Sequence, residues 1–115
     1  MKVTIYHNPR CSKSRQTLDL IRKRNIDPDV IEYLKTPPDR ATLERILALL
    51  ELEPRDLMRK NESVYKQEKL DDKALSREAL ISAMLDYPIL IERPIVLSKG
   101  KARIGRPPEK VLEIL

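Results

Sequence analysis

The chain has 115 residues, a net charge of +5 and a pI near 9.4, which allows one core but not two. No apolar run is long enough to span a membrane, and the start MKVTIYHNPR lacks the apolar stretch of a secretory signal, so a cytoplasmic protein is expected. A single cysteine excludes an internal disulfide and, with a single histidine, a Cys/His metal cluster; the lack of Trp and Phe and the mixing of acids among the basic residues argue against nucleic acid as a partner.

KVTIY at 2–6 alternates, with Val3 and Ile5 on one face, and predicts a strand that Pro9 ends. From Ser12 to about Asn25 the pattern is helical, with Leu18, Leu20 and Ile21 as its apolar positions. DVIEYL at 29–34 predicts a second strand. Strand, helix and strand within about thirty residues imply a right-handed crossover between two parallel strands.

TPPD at 36–39 opens a helix whose stripe is Leu43, Ile46, Leu47 and Leu50, with either Thr36 or Asp39 as its N-cap. DLMRKN at 56–61 reads as a short helix end, and SREALISAMLDY at 76–87 as an amphipathic helix. Residues 36–90 are therefore expected to form a mostly helical lobe within a single domain spanning 1–115.

PIVLS at 94–98 and KARIG at 101–105 predict two strands joined at Lys99-Gly100, and PPEKVLEIL at 107–115 predicts a closing helix. The order is βαβ, then helices, then ββα: an α/β fold on a small mixed sheet.

HNPRCSKSR at 7–15 holds the only histidine and the only cysteine. A buried cysteine usually acts as a small apolar filler. Here no large apolar residue lies between His7 and Thr17, and Cys11 falls where a strand gives way to a helix. Unpaired amides and the helix dipole favour an anion there, and the thiolate is the reactive form. Arg10, Lys13 and Arg15 add positive charge, and Ser12 and Ser14 add hydroxyl donors. His7 is open to two readings: an imidazolium that lowers the thiol pKa, or a strand end in water.

The spacing rules out several cysteine chemistries. A phosphatase-type loop needs Arg six positions after the cysteine, and Thr17 stands there; a dithiol exchanger needs a second cysteine at position 14, and Ser14 stands there. A protease needs a base held by an orienting partner, and the only histidine lies four residues upstream on the same loop. Monothiol chemistry with an outside thiol such as glutathione remains. Arg59, Arg93 and Arg106 sit at element ends, the last two each before a proline, and guanidinium groups pair bidentately with tetrahedral oxyanions.

These stretches resemble the glutaredoxin-coupled arsenate reductases: IYHNPRCSKSR at 5–15, YLKTPP at 33–38, LMRKN at 57–61, RPIV at 93–96 and GRPPEKVLEIL at 105–115. The chain is most similar to the short members of that family. The resemblance implies a thioredoxin-like fold with a mixed four-stranded sheet and a helical insertion. It implies Cys11 as the nucleophile, Arg59, Arg93 and Arg106 as oxyanion ligands, His7 and Ser14 as residues that tune the thiolate, and Pro94 as the cis-proline facing the cysteine. The implied activity is reduction of arsenate to arsenite by a monomer, with glutathione as co-substrate, glutaredoxin as electron donor and no bound cofactor or metal. Two alternatives share the fold: monothiol glutaredoxin-like disulfide exchange, and a transcription adaptor that binds RNA polymerase. The adaptors usually carry a CxxC switch, which Cys11 and Ser14 do not make.

Overall fold

The structure, a computed structural model, describes residues 2–115. They form two compact units, residues 2–36 with Arg93–Leu115, and Pro37–Glu92.

The first unit is built on four strands, β1 (Val3–His7), β2 (Asp29–Glu32), β3 (Ile95–Ser98) and β4 (Lys101–Ile104), in the order β2-β1-β3-β4. β1 and β2 run parallel, with Ile5 opposite Val30, while β3 is antiparallel to β1 and to β4. The parallel pair needs a crossover, and helix α1 (Ser12–Lys23) supplies it. Asn25, in the left-handed region at φ 61°, stands just past the end of α1, a conformation asparagine tolerates well. Lys99 and Gly100, with φ of 55° and 71°, make the tight turn between β3 and β4 that right-handed strand twist favours.

The core of this unit gathers Val3 and Ile5 from β1, Leu18 and Ile21 from α1, Val96 from β3, and Val111 and Ile114 from the C-terminal segment. That segment, Pro108–Ile114, is a 3-10 helix where an ordinary helix was expected. Lys110 N–H already donates to the Pro107 carbonyl three residues back, at 3.1 Å. Val111 and Ile114, three apart, then share one face and pack on α1, β3 and β4.

The second unit is helical: α2 (Arg40–Leu50), a 3-10 turn at Pro54–Leu57, α3 (Ser63–Gln67), α4 (Arg77–Asp86) and a second 3-10 turn at Pro88–Leu90. Asp39, not Thr36, caps α2 by accepting the Thr42 N–H at 2.8 Å, and Ser76 caps α4 by accepting the Ala79 N–H. Leu43, Ile46 and Leu47 of α2 and Leu80, Ile81 and Met84 of α4 are buried. The sequence 56–61 does not end a helix as expected. Its 3-10 turn stops at Leu57, and the backbone bonds across to residues 90–92 instead: Met58 forms a bridge with Ile91, Arg59 N–H donates to Leu90 and Glu92 N–H to Leu57. Proline at the start of the turn and this cross-chain pairing satisfy the backbone groups that a longer helix would have used.

Candidate active site

Cys11 is the N-cap of α1, with extended backbone angles (φ −93°, ψ 122°), and it is a free, half-buried thiol. The preceding turn is held by Asn8: its carbonyl accepts the Cys11 N–H at 3.0 Å, and its Oδ1 accepts the Arg10 N–H at 3.0 Å. Asn8 is itself buried, a role the sequence reading did not assign. An asparagine just before the proline of a short turn is the signal that marked it.

Two groups of opposite effect act on the sulfur. Burial pushes the thiol pKa up; the Ser14 backbone N–H, the Arg93 guanidinium and the charge of Arg106 outweigh it and hold the pKa below the ordinary cysteine value. The sulfur closes no full capping bond, but Ser14 N–H, in the first turn of α1, is one of the donors that favour its thiolate. Arg106 Nη2 donates to Cys11 Sγ at 3.4 Å. Arg106 Nε donates to the Arg93 carbonyl at 2.8 Å, so the two arginines are tied together beside the cysteine. Arg93 is buried and Arg106 exposed.

The charges that favour the thiolate come from Arg93 and Arg106, far from Cys11 in sequence. Arg15 turns back to the Pro9 carbonyl at 2.9 Å. The Ser14 hydroxyl is also engaged elsewhere: it accepts the Asn8 N–H at 3.0 Å and shares a hydrogen bond with His7 Nδ1 at 2.7 Å. His7 is therefore not in water. It is buried, and burial pulls its pKa below the usual value, with Arg22 and Arg15 acting the same way and Glu32 against. His7 props Ser14, and Ser14 presents its amide to the sulfur.

Pro94 follows Arg93 through a cis peptide bond, and Arg106–Pro107 is also cis. Cys11, Ser14, His7, Arg93, Pro94 and Arg106 all belong to the first unit. Arg59 belongs to the second, where Nε pairs with Glu62 at 3.1 Å and Nη1 with Glu92 at 2.7 Å. Burial opposes its charge, and the two carboxylates more than restore it. Among the described residues no group of three or more His, Cys, Asp or Glu is placed to hold a metal ion, and no helix is long and apolar enough to cross a membrane.

A mixed sheet of order β2-β1-β3-β4, with a lone cysteine capping the helix after β1, defines a thioredoxin-like protein. The model of the ArsC family matches residues 6–114, and the chain belongs to that family. It is 57% identical over 115 residues to the uncharacterised protein YfgD of Escherichia coli, covering 99% of this chain and 97% of that protein. It is 46% identical to an arsenate reductase of Neisseria meningitidis, covering 99% and 98%. The solved structure of an arsenate reductase from Vibrio cholerae superposes with a TM-score of 0.97 at 54% identity, covering 100% of this chain and 98% of that one.

Proposed function

We propose that this protein reduces arsenate to arsenite, with Cys11 as nucleophile, glutathione as co-substrate and glutaredoxin as the final electron donor. The observation that supports it most directly is the Arg106 guanidinium at 3.4 Å from Cys11 Sγ, beside Arg93. That pair both favours the thiolate and offers donors to a tetrahedral oxyanion approaching it. Family membership and the arsenate reductases among the relatives support the choice of arsenate.

The Cys11 thiolate attacks As(V), an S–As bond forms, and one arsenate oxygen leaves as water after protonation. A glutathione thiol then forms a second S–As bond as another oxygen leaves as water. The glutaredoxin thiolate attacks the glutathione sulfur, and the S–As bond breaks with its electron pair left on arsenic. Arsenic is reduced from As(V) to As(III), while glutathione and glutaredoxin are oxidised to a mixed disulfide. Water displaces Cys11 from As(III), releasing arsenite and the free thiol. One protein thiol suffices, and the chain has one. A reducing cytoplasm would supply both donors. The oxyanion role of Arg59 rests on the resemblance and is tested separately below.

The test is NADPH consumption in a mixture of this protein, glutathione, glutaredoxin and glutathione reductase, with and without arsenate. Arsenate-dependent turnover that disappears in Cys11→Ser is the expected result. No turnover with a folded protein and a reactive Cys11 overturns the reading.

A further inference from the structure

Gly105 stands between the end of β4 and Arg106, and it is buried. Its backbone angles do not call for glycine, since Gly100 is the glycine with positive φ. Space does. A Cβ at position 105 would lie 2.5 Å from Thr17 Oγ1, 2.8 Å from Pro94 Cγ and 3.1 Å from Thr17 Cγ2. Thr17 cannot simply turn away. It is fully buried in α1, its side chain is β-branched, and its hydroxyl donates to the Lys13 carbonyl at 2.8 Å. Pro94 cannot easily retreat, because Gly105 N–H donates to its carbonyl at 3.0 Å and the residue is buried at the head of β3.

The chain at 105 is thus seated against the inner face of α1 on one side and Pro94 on the other. Arg106 follows directly. Its Nε is bound to the Arg93 carbonyl and its Nη2 reaches Cys11 Sγ at 3.4 Å, an ordinary length for a hydrogen bond to sulfur. Ordinary carbon contacts begin near 3.5 Å. A side chain at 105 would therefore push the backbone back by about 1 Å, and the guanidinium with it.

We propose that Gly105 is a positioning residue: its missing side chain lets the end of β4 seat against Thr17 and Pro94, and this close approach sets Arg106 against Cys11. The inference rests on the reading of Cys11 as the nucleophile.

The experiment is a pH titration of the Cys11 thiolate, by ultraviolet absorbance and by alkylation rate, in wild type, Gly105→Ala, Arg106→Ala and the double variant. Cys11 is the only thiol, so the signal belongs to one group. Gly105→Ala is expected to raise the midpoint by roughly half to one pH unit, close to the effect of Arg106→Ala. The double variant is expected to show no further rise, because both changes remove the same contact. A folded Gly105→Ala with the wild-type midpoint overturns the inference, and so does a double variant whose shift is the sum of the two. Should Gly105→Ala not fold, Thr17→Ala/Gly105→Ala replaces it and is compared with Thr17→Ala. It keeps the Pro94 contact, so a raised midpoint supports the inference and an unchanged one overturns it. No arsenate enters the titration. A wild-type protein inactive on arsenate would sink the functional reading alone, whereas an unmoved titration in an active protein would sink the positioning role alone.

Discussion

Arg106 and Cys11 stand ninety-five positions apart in the chain, yet Nη2 of one lies 3.4 Å from Sγ of the other. A second bond, from Arg106 Nε to the Arg93 carbonyl, fixes the plane of the guanidinium. A planar group held at two edges is preorganised, so the charge it brings to the sulfur needs no reorganisation when the thiol ionises.

Arg106→Ala is accordingly expected to raise the thiolate midpoint of Cys11 by about one pH unit, while Arg93 and the Ser14 amide go on favouring the thiolate. Below the midpoint the thiolate fraction, and with it the alkylation rate, drops about tenfold for each unit. Arg106→Lys keeps the charge but not the second bond, and an intermediate midpoint is expected. An Arg106→Ala protein that titrates like wild type would mean that the Arg93 and Ser14 contributions alone account for the acidity.

The same linkage makes stability depend on pH through His7. Its folded pKa lies below the unfolded value of about 6.5, so in that window the unfolded chain binds the proton and the folded one does not. The stability contributed by neutral His7 is present above the unfolded pKa and is lost as pH falls through the folded pKa. The difference in melting temperature between wild type and His7→Gln is therefore expected to shrink on acidification from neutral pH. A difference that stays constant or grows in acid would show His7 charged in the fold, as the imidazolium reading required.

What the sequence made legible, and what it hid, divides along the range of the interactions. Alternation in KVTIY and PIVLS reports burial of single strands, and TPPD reports a local cap, so these elements were readable in place. Cys11 was readable because its neighbours are polar at every helical spacing. The use of Ser14 was not: a hydroxyl beside a cysteine invites a direct bond, and only the fold shows it taken by His7 and Asn8. Gly105 gives no local sign, because its need for glycine comes from Thr17 and Pro94, which are distant in sequence. The stretch after Pro54 misleads for the same reason, since its backbone partners are at 90–92.

Arg59 offers a test of a different kind, because its two ion pairs are half-buried and lie within the second unit. Arg59→Ala leaves Glu62 and Glu92 without their cation, and a loss of roughly 1 kcal/mol in stability is expected, screened by added salt. If the family resemblance carries its oxyanion role over, the same variant also raises the KM for arsenate. A stability loss with KM unchanged would make Arg59 a structural residue only.

Ser14 separates the two jobs of one residue. Its hydroxyl, fully buried, satisfies the Asn8 N–H and His7 Nδ1, whereas its amide serves the cysteine. Ser14→Ala removes the first function and keeps the second. A buried donor left without its acceptor costs on the order of 2 kcal/mol, and Asn8 is that donor. Chemical denaturation is expected to show this loss with the slope unchanged, since the surface exposed on unfolding is nearly the same. The thiolate midpoint is expected to move by less than in Arg106→Ala. A midpoint that rises as far as in Arg106→Ala, with little loss of stability, would mean that the hydroxyl acts on the sulfur itself and that the amide does not.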